Sequence, residues 1–511
     1  MSFLDNIIKV NKTPSIYERI HEHIEKDGLV PENFEPEPVD KTKLRFAPGA
    51  MEGIMTHHGG GSGSADFVDT FKRYLNMTDE KIMKKIDETP DFTASSVYSA
   101  VLDDIFGNRE MYPADKILSL ANTLTQKSKK TETVKFGLSL FALFRLDESC
   151  PESKIIEDLG LCENFTYYAN LAADNCFDKQ YYQKTLFNWA KKLHGWGKID
   201  TVEYLEPSTD EIKHWLLCHG CKNGILNSYL ALVCVQKADV FERLQKGSLT
   251  DEEYSGVTEI VFGLLDEGPC AGMSAVDRPI EFTLLYLGEL EKRKDDIDNL
   301  KVLSNIKNYF KFEWEDEDND PAPIFEKIED IEQNTDVETL VLDNLAEKTM
   351  YCRDIAESFG IDISKPFMEL VRSDTEKYYA DAVFYFVKRP ELFKEYIAIC
   401  EEYADESKYP DKMGEELGIG KPKDGTLQLD FIVQSLDKYP LTGQKLIMLS
   451  LRSPVIRWRS MAAKALEGWV KKLNKPLCDI DAKIYAKVKE LAETEVYGDL
   501  KTRWEKLINN T

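Results

Sequence analysis

The sequence predicts an all-α fold made of antiparallel helix pairs, and three observations support this prediction. Helix-start motifs recur along the chain, and apolar residues follow them at the spacing of a helix face. Runs of β-branched residues that alternate with polar ones, as in a half-buried strand, are missing. The chain has 511 residues, more than one ordinary hydrophobic core holds, so we expect several domains or an elongated array of repeats.

Three capping boxes predict helix starts in the middle of the chain. They begin at Ser208, Thr250 and Ser373. In each box a hydroxyl side chain caps a free backbone N–H, and a glutamate three residues later reaches back to the cap residue. The first two boxes lie about 42 residues apart. This spacing falls within the period of two-helix repeats of the HEAT or armadillo kind.

The clearest single helix is predicted at residues 453–469. Ser453 is expected to cap it, and Pro454 to take its first position, where the missing N–H has no consequence. One apolar face follows the spacing i, i+3, i+4 and i+7 and consists of Ala462, Ala465, Leu466 and Trp469. This stretch resembles the second helix of a HEAT-type repeat, in which a capped turn leads into an alanine-rich face.

A second stretch carries a broader resemblance. It runs from His194-Gly195-Trp196-Gly197-Lys198-Ile199 through residues 211–217 and 220–223 to Tyr229-Leu230-Ala231. These residues are similar to large bacterial helical-repeat proteins that have no assigned activity. The resemblance implies an α-solenoid, that is, an α-α superhelix of HEAT-like antiparallel helix pairs, and a bacterial origin. It implies no reaction and assigns a role to no residue.

Two segments interrupt the helical pattern and define the expected domains. Proline and glycine are frequent in residues 28–66, and residues 313–323 form an acidic run with two prolines. Such a run repels itself and cannot bury a core. We therefore expect an N-terminal helix with an irregular Gly/Pro-rich segment (1–75), a helical-repeat block (76–312), an acidic linker (313–336) and a C-terminal HEAT-like helical block (337–511).

The net charge of the chain indicates which kinds of molecule it is expected to bind. Asp and Glu number 91 against 65 Lys and Arg, which gives a net charge of −26. An acidic surface disfavours nucleic acid and anionic membranes, both of which attract basic residues. It suits a basic protein partner, and the alternative is that the charge serves only to keep the protein soluble. The N-terminus lacks a basic start followed by an apolar run, and the ten cysteines lie mostly inside apolar patterns. We therefore expect a cytoplasmic protein with reduced thiols.

The strongest candidate for chemistry lies in the glycine-rich segment. His57 and His58 are adjacent there, and two imidazoles with a carboxylate can bind a transition metal such as zinc. Arg45, Glu52 and Asp66 supply nearby charges and complete the candidate ligand-binding set. Adjacent histidines can face one metal only in an irregular loop. The alternative is a mobile surface loop whose histidines have no role.

A second candidate metal site is the C-x-x-C pair formed by Cys218 and Cys221. Such a pair binds zinc or performs redox chemistry. His214, four residues before Cys218, shares a helix face with it. No second ligand pair of this kind occurs in the sequence, and no βαβ pattern supports a redox role. The alternative is a helix that ends at Gly220 with Cys218 buried.

Three arginines form a basic cluster in this acidic chain. Arg452, Arg457 and Arg459 are candidates for contact with an acidic group of a partner. The alternative is a set of ion pairs between neighbouring repeats. Aromatic pairs such as Tyr167-Tyr168 allow a similar choice between a concave peptide-binding surface and core packing.

These observations predict a binding protein rather than an enzyme. No complete catalytic motif is present. We expect a scaffold or interaction protein that recognises a protein partner on a helical-repeat surface, and an immunity or regulatory protein is one specific version. No cofactor is predicted apart from the zinc considered above. The rival hypothesis is a metal-dependent enzyme that uses His57 and His58.

Overall fold

Helices make up the regular structure of the chain, so the all-α prediction is confirmed. The computed structural model describes residues 13–39, 46–58, 66–268, 270–418 and 424–509, without the side chains of 55–58. Within these residues no strand is formed, and the one extended pairing is an isolated bridge between Glu416 and Val455. No helix in the same residues is long and apolar enough to span a lipid bilayer.

The chain divides into two compact units. Unit 1 contains Met1–Glu289 and Trp314–Ile324, and unit 2 contains Leu290–Glu313 and Phe325–Thr511. Each unit therefore takes its residues from two separate parts of the chain. Two of the boundaries between the units fall inside a helix. The boundary after Glu289 lies in the helix Pro279–Glu291, and the boundary after Ile324 lies in the helix Ala322–Gln333.

The helices that begin in unit 1 are short, and most connections between them are only a few residues long. In the described part of the chain they are α1 (Ile16–Asp27), α2 (Ala50–His58), α3 (Asp66–Tyr74), α4 (Asp79–Asp87), α5 (Ala94–Gly107), α6 (Ala114–Lys127), α7 (Thr131–Phe141), α8 (Pro151–Gly160), α9 (Thr166–Cys176), α10 (Lys179–Ala190), α11 (Gly195–Tyr204), α12 (Asp210–Trp215), α13 (Ser228–Lys237), α14 (Val240–Lys246), α15 (Asp251–Leu264) and α16 (Pro279–Glu291).

The remaining helices follow in the second half of the sequence. Within the described residues they are α17 (Ile297–Phe312), α18 (Ala322–Gln333), α19 (Val337–Asn344), α20 (Thr349–Phe359), α21 (Ser364–Ser373), α22 (Thr375–Phe386), α23 (Pro390–Tyr403), α24 (Leu429–Val433), α25 (Gln444–Leu451), α26 (Ile456–Leu473), α27 (Leu477–Ile480), α28 (Ala482–Thr494) and α29 (Gly498–Asn509).

Alternate helices pack against one another in unit 1. The helices α5, α7, α9, α11, α13 and α15 contact each other in that order, and α4, α6 and α8 form a second series. Helices next to each other in sequence, such as α6 and α7, pack together as well. The centre of this arrangement is α7, whose Phe136, Leu138 and Phe141 are fully buried. The helix also buries polar side chains, Thr133, Lys135 and Ser139, and such groups need hydrogen-bond or ion-pair partners inside the protein.

Unit 2 shows a similar succession of alternate contacts. The helices α20, α22, α24 and α26 contact each other in order, and α26 continues to α29. The apolar face predicted on α26 is fully buried and consists of Ala462, Ala465, Leu466 and Trp469. Trp469 donates its indole N–H to the Leu436 carbonyl oxygen at 2.7 Å, which satisfies the buried polar atom of the ring.

The capping predictions are correct in outline and differ in two details. Thr250 caps α15 with both hydrogen bonds of its box, as predicted. The cap of α12 is Thr209 instead of Ser208, and its hydroxyl accepts a hydrogen bond from the third residue of the helix. The cap of α22 is Asp374 instead of Ser373. In both cases the next residue in the chain is also of a favoured cap type, and the backbone of that residue takes the extended or another non-helical conformation.

The start of α26 also differs from the prediction. The helix begins at Ile456, not at Pro454. The Ser453 hydroxyl accepts a hydrogen bond from the Val455 N–H, two residues later, at 3.1 Å. This hydrogen bond forms a local turn in place of a helical one. Serine hydroxyls often bind nearby backbone groups in this way and so disfavour a helix at that point.

The predicted acidic linker contains a helix. Within residues 313–336, α18 covers Ala322–Gln333. Its Ile324, Ile328 and Ile331 are buried at the spacing of one helix face. The helix was not predicted, because the acidic residues directly before it are typical of a linker. The four-part domain division stays a prediction.

Candidate functional site

The glycine-rich candidate segment is partly helical instead of irregular. The helix α2 covers Ala50–His58, so the backbone of both histidines is helical. The side chains of both histidines, and all of Arg45, lie outside the described residues, so their role as ligands stays a prediction. Asp66 is exposed at the first position of α3.

Glu52 is buried and forms an ion pair. The Lys135 ammonium nitrogen of α7 lies 2.6 Å from a Glu52 carboxylate oxygen and 2.9 Å from one of Glu132. Burial acts to lower the pKa of Lys135, but Glu132 and Glu52 outweigh it, so the pKa is raised and the lysine stays charged. Glu52 therefore connects α2 to α7.

The same helix lies very close to Trp196 of α11. A Cβ atom added at Gly53 would lie 2.1 Å from the Trp196 ring, and one added at Gly49 would lie 3.1 Å from the Trp196 Cβ. Glycine is therefore required at both positions, and Gly49 also has a φ of +71°. Tyr229 packs against the tryptophan with 5.0 Å between ring centroids. Trp196 is thus fixed between α2 and α13.

A small cavity of about 20 Å³ lies beside Trp196. This volume holds about one water-sized group. Besides the tryptophan, its lining includes Glu163 from the turn before α9, Thr166 and Tyr167 of α9, and Asp200 of α11. We call these five residues the carboxyl site.

Both acidic side chains of the carboxyl site have raised pKa values. Burial, and then the nearby Glu32, raises the pKa of Glu163 to about 7. Burial, and then Glu203, raises the pKa of Asp200 to about 7. Asp200 accepts a hydrogen bond from the Asn170 amide at 3.3 Å. Over the described part of the chain, no Lys or Arg forms an ion pair with Glu163 or Asp200. Such perturbed groups in a cavity are typical of functional sites.

The turn into α11 fixes the Glu163 carboxylate. Gly195, the first residue of α11, has a φ of +55°, and a Cβ atom there would lie 2.3 Å from a Glu163 carboxylate oxygen. The carboxylate also takes part in a hydrogen bond with the His194 backbone, which lowers its pKa. A helix N-terminus favours a negative charge, but burial outweighs this effect here.

Tyrosines extend the carboxyl site along α5 and α9. The hydroxyls of Tyr98 and Tyr167 lie 3.0 Å apart and form a hydrogen bond. Tyr168 is fully buried against Tyr167, and its hydroxyl has no hydrogen-bond partner among the described residues. The aromatic pair singled out in the sequence therefore has one residue in the core and one at the site.

The two cysteines of the C-x-x-C pair have different surroundings. The buried Cys221 thiol lies 3.5 Å from the backbone oxygens of Asn227 and Glu259. The half-buried Cys218 sulfur lies 3.7 Å from His214 Nε2. Burial raises the pKa of Cys218 to about 11 and that of Cys221 well above its usual value. A redox thiol needs a lowered pKa, so this environment does not suit redox chemistry.

The arginine cluster of unit 2 is engaged within the unit. Arg459 is fully buried, and its guanidinium binds both carboxylate oxygens of Glu495 at 2.8 and 2.9 Å. Arg457 pairs with Asp430, and Arg452 lies 2.8 Å from a Glu406 carboxylate oxygen and 3.8 Å from one of Asp411. This arrangement matches the alternative of internal ion pairs.

Sequence reasoning missed Glu163 and Asp200. Each is a single acidic residue in a helical pattern, which usually indicates a solvated helix face. The available signal was the pair Gly195 and Gly197, because a glycine can mark a close approach, and here both positions lie against Glu163. Comparison of the chain with protein-family models, with curated proteins and with solved structures finds no match.

Proposed function

We propose that the chain is a binding protein of the helical-repeat, HEAT-like type that takes up a lysine side chain of a basic protein partner in the carboxyl site. One observation carries the proposal. Three acidic side chains line one small cavity: Glu52 is paired with Lys135, whereas Glu163 and Asp200 have no basic ion-pair partner in the described chain.

The electrostatics of the site favour a cation from outside. Burial makes ionisation of Glu163 and Asp200 unfavourable near neutral pH, because each carboxylate loses hydration without gaining a counter-charge. An ammonium group in the cavity would supply that charge and lower both pKa values. Binding free energy and proton release are therefore coupled at this site.

The size of the cavity favours lysine over arginine. A lysine ammonium is about as large as a water molecule, whereas the guanidinium of arginine is a planar group with five N–H donors. A cavity of about 20 Å³ accommodates the first and not the second. The Trp196 ring adds a cation–π contribution, which is largest for tryptophan.

Other features of the chain support this class of function. The net charge of −26 attracts a basic partner at long range and disfavours nucleic acid or an anionic membrane as the partner. The succession of contacts between alternate helices in unit 1 supports a repeat array, whose HEAT-like character and bacterial origin rest on the sequence resemblance. Ten free cysteines support a reducing cytoplasmic location. An immunity or regulatory protein remains one specific version of the proposal.

The experiment is a titration of the full-length protein with three matched peptides. The peptides are about twelve residues long, share one sequence and carry lysine, arginine or acetyl-lysine at the basic positions. We expect the lysine peptide to bind most tightly, the arginine peptide more weakly, and the acetyl-lysine peptide not at all. Isothermal titration calorimetry gives the affinities, and repetition at several salt concentrations gives the electrostatic share.

A pair of double variants separates the site from general acidity. The variant Glu163→Gln with Asp200→Asn should weaken lysine-peptide binding by about tenfold or more, because a paired buried charge is lost. The control variant Asp174→Asn with Glu211→Gln removes two exposed carboxylates of unit 1 and should keep most of the affinity. Equal losses in the two variants, or equal binding of the lysine and arginine peptides, would refute the proposal.

A further inference from the structure

Three possible metal ligands of different types come together elsewhere in unit 1. His214 lies on α12, Cys218 lies in the turn that continues this helix, and Glu252 lies in the first turn of α15. One ligand atom from each residue can be chosen so that all three lie within 4.8 Å of one another. The sequence spacing placed His214 beside Cys218, and the crossing of α15 supplies the carboxylate.

The helix crossing explains why this arrangement forms. After α12 the chain makes one π-helical turn, Leu216–Gly220, and α15 crosses directly over it. A Cβ atom at Gly256 would lie 2.3 Å from the Leu217 carbonyl oxygen and 2.5 Å from the Cys218 Cα. Glycine is therefore needed for this approach. Glu252 precedes Gly256 by four residues, so both lie on the same face of α15. Single π-turns within α-helices occur frequently at functional sites.

The position of Glu252 is fixed by its neighbours. Thr250 caps the helix together with Glu253, and Arg243 binds both carboxylate oxygens of Glu253 at 2.6 and 2.7 Å. The first turn of α15 is therefore held at both its cap and its side chains. His219 Nε2 lies 3.1 Å from a Glu252 carboxylate oxygen and orients that carboxylate.

The ligand types and the distance between the Cys218 sulfur and His214 Nε2 match zinc. Zinc binds cysteine sulfur, histidine nitrogen and carboxylate oxygen in tetrahedral sites, whereas calcium and magnesium require oxygen ligands. With Zn–S of about 2.3 Å and Zn–N of about 2.0 Å, tetrahedral geometry places sulfur and nitrogen about 3.5 Å apart. The Cys218 sulfur lies 3.7 Å from His214 Nε2, so little movement is needed.

We propose that His214, Cys218 and Glu252 bind one zinc ion, with solvent in the fourth position. His219 acts as an outer partner that orients Glu252. This site differs from a C-x-x-C site, because Cys221 faces backbone oxygens and does not belong to it. It is independent of the proposed lysine binding, which uses other residues. The ion would connect α12 and its π-turn to α15.

The experiment loads the metal-free, full-length protein with Co²⁺ as a spectroscopic probe and then with Zn²⁺. We expect one ion per chain, a thiolate-to-cobalt charge-transfer band, and displacement of cobalt by zinc. Cys218→Ser should abolish the band, and His214→Ala and Glu252→Gln should weaken zinc affinity strongly. His219→Ala should weaken it by about 10- to 100-fold, as expected for an outer partner.

Two control variants make the result specific. Cys221→Ser tests the other member of the C-x-x-C pair. Cys150→Ser tests a cysteine that is partly exposed, like Cys218, but lies far from it in the sequence. Both should keep the band. If Cys218→Ser fails to fold, loss of the band in His214→Ala supports the proposal in its place. A band that survives Cys218→Ser, zinc lost only on changing His57 and His58, or no binding at micromolar metal would overturn it.

Discussion

Replacing Asp200 by asparagine should make the folded chain more stable above pH 7. The change removes a buried carboxylate with no cationic partner among the described residues, and it keeps an oxygen that can accept the hydrogen bond from Asn170. The pKa of Asp200 rises from 3.8 to about 7 on folding. At 1.36 kcal/mol per pKa unit this corresponds to about 4 kcal/mol as an upper limit. Partial exposure and coupling to Glu203 reduce the expected gain to about 1–2 kcal/mol.

The sign of the pH dependence follows from the direction of the shift. Below pH 4 the carboxyl is protonated in both the folded and the unfolded chain, so it contributes nothing. Between pH 4 and 7 the unfolded chain loses the proton first, so the folded chain loses stability as the pH rises. Above pH 7 the full destabilisation is present. The advantage of Asp200→Asn should therefore be largest at pH 8 and smaller at pH 5.

Urea unfolding followed by tryptophan fluorescence at pH 8 and pH 5 measures this effect. Asp174→Asn is the matched control, since it removes an exposed aspartate from the neighbouring helix α9 and should shift the midpoint little. A lower midpoint for Asp200→Asn at pH 8, or a shift equal to that of the control at both pH values, would show that Asp200 is not desolvated in the way described.

Four further outcomes are expected. Lys135→Met should destabilise the fold by about 3–5 kcal/mol in urea unfolding, because it removes the cation that pairs with the buried Glu52 carboxylate. Arg459→Met should have a similar effect, because it removes the cation that pairs with the buried Glu495 carboxylate. A decrease in the free energy of unfolding below about 1 kcal/mol in either variant would contradict the reasoning. Gly53→Ala should cost about 1–3 kcal/mol and alter tryptophan fluorescence, because the new methyl group overlaps the Trp196 ring; unchanged fluorescence and stability would refute the close approach. Lysine-peptide affinity should increase from pH 6 to pH 8 as the carboxyl site ionises, and calorimetry in buffers of different ionisation enthalpy should detect proton release near pH 7; a flat profile would contradict the raised pKa values.

Helices were predictable from sequence wherever local signals act alone. The Thr250 box works as predicted because both of its hydrogen bonds are made within four residues. Ser453 does not cap α26, because its hydroxyl accepts a hydrogen bond from the Val455 N–H, which lies before the helix. The existence of a helix follows from periodicity, but its first residue depends on small energy differences between adjacent cap residues.

The sites were predictable only in part, because they depend on contacts distant in sequence. The i, i+4 spacing places His214 near Cys218, but Glu252 joins them only through the crossing at Gly256. Residues 50–58 look irregular in sequence, yet α2 forms there and packs on Trp196. Neither contact produces a periodic pattern in the sequence, because each joins residues that are distant in the chain.

The division of the chain into units has a consequence for its synthesis. Unit 1 is completed only by Trp314–Ile324, which the ribosome produces after residues Leu290–Glu313 of unit 2. During this interval α17 has emerged, but its packing partner α20 has not been made. The apolar residues of α17, among them Leu300, Leu303 and Ile306, are then exposed. A chaperone that binds nascent apolar segments would meet this protein there, and a fragment that ends at residue 324 would expose the same surface permanently.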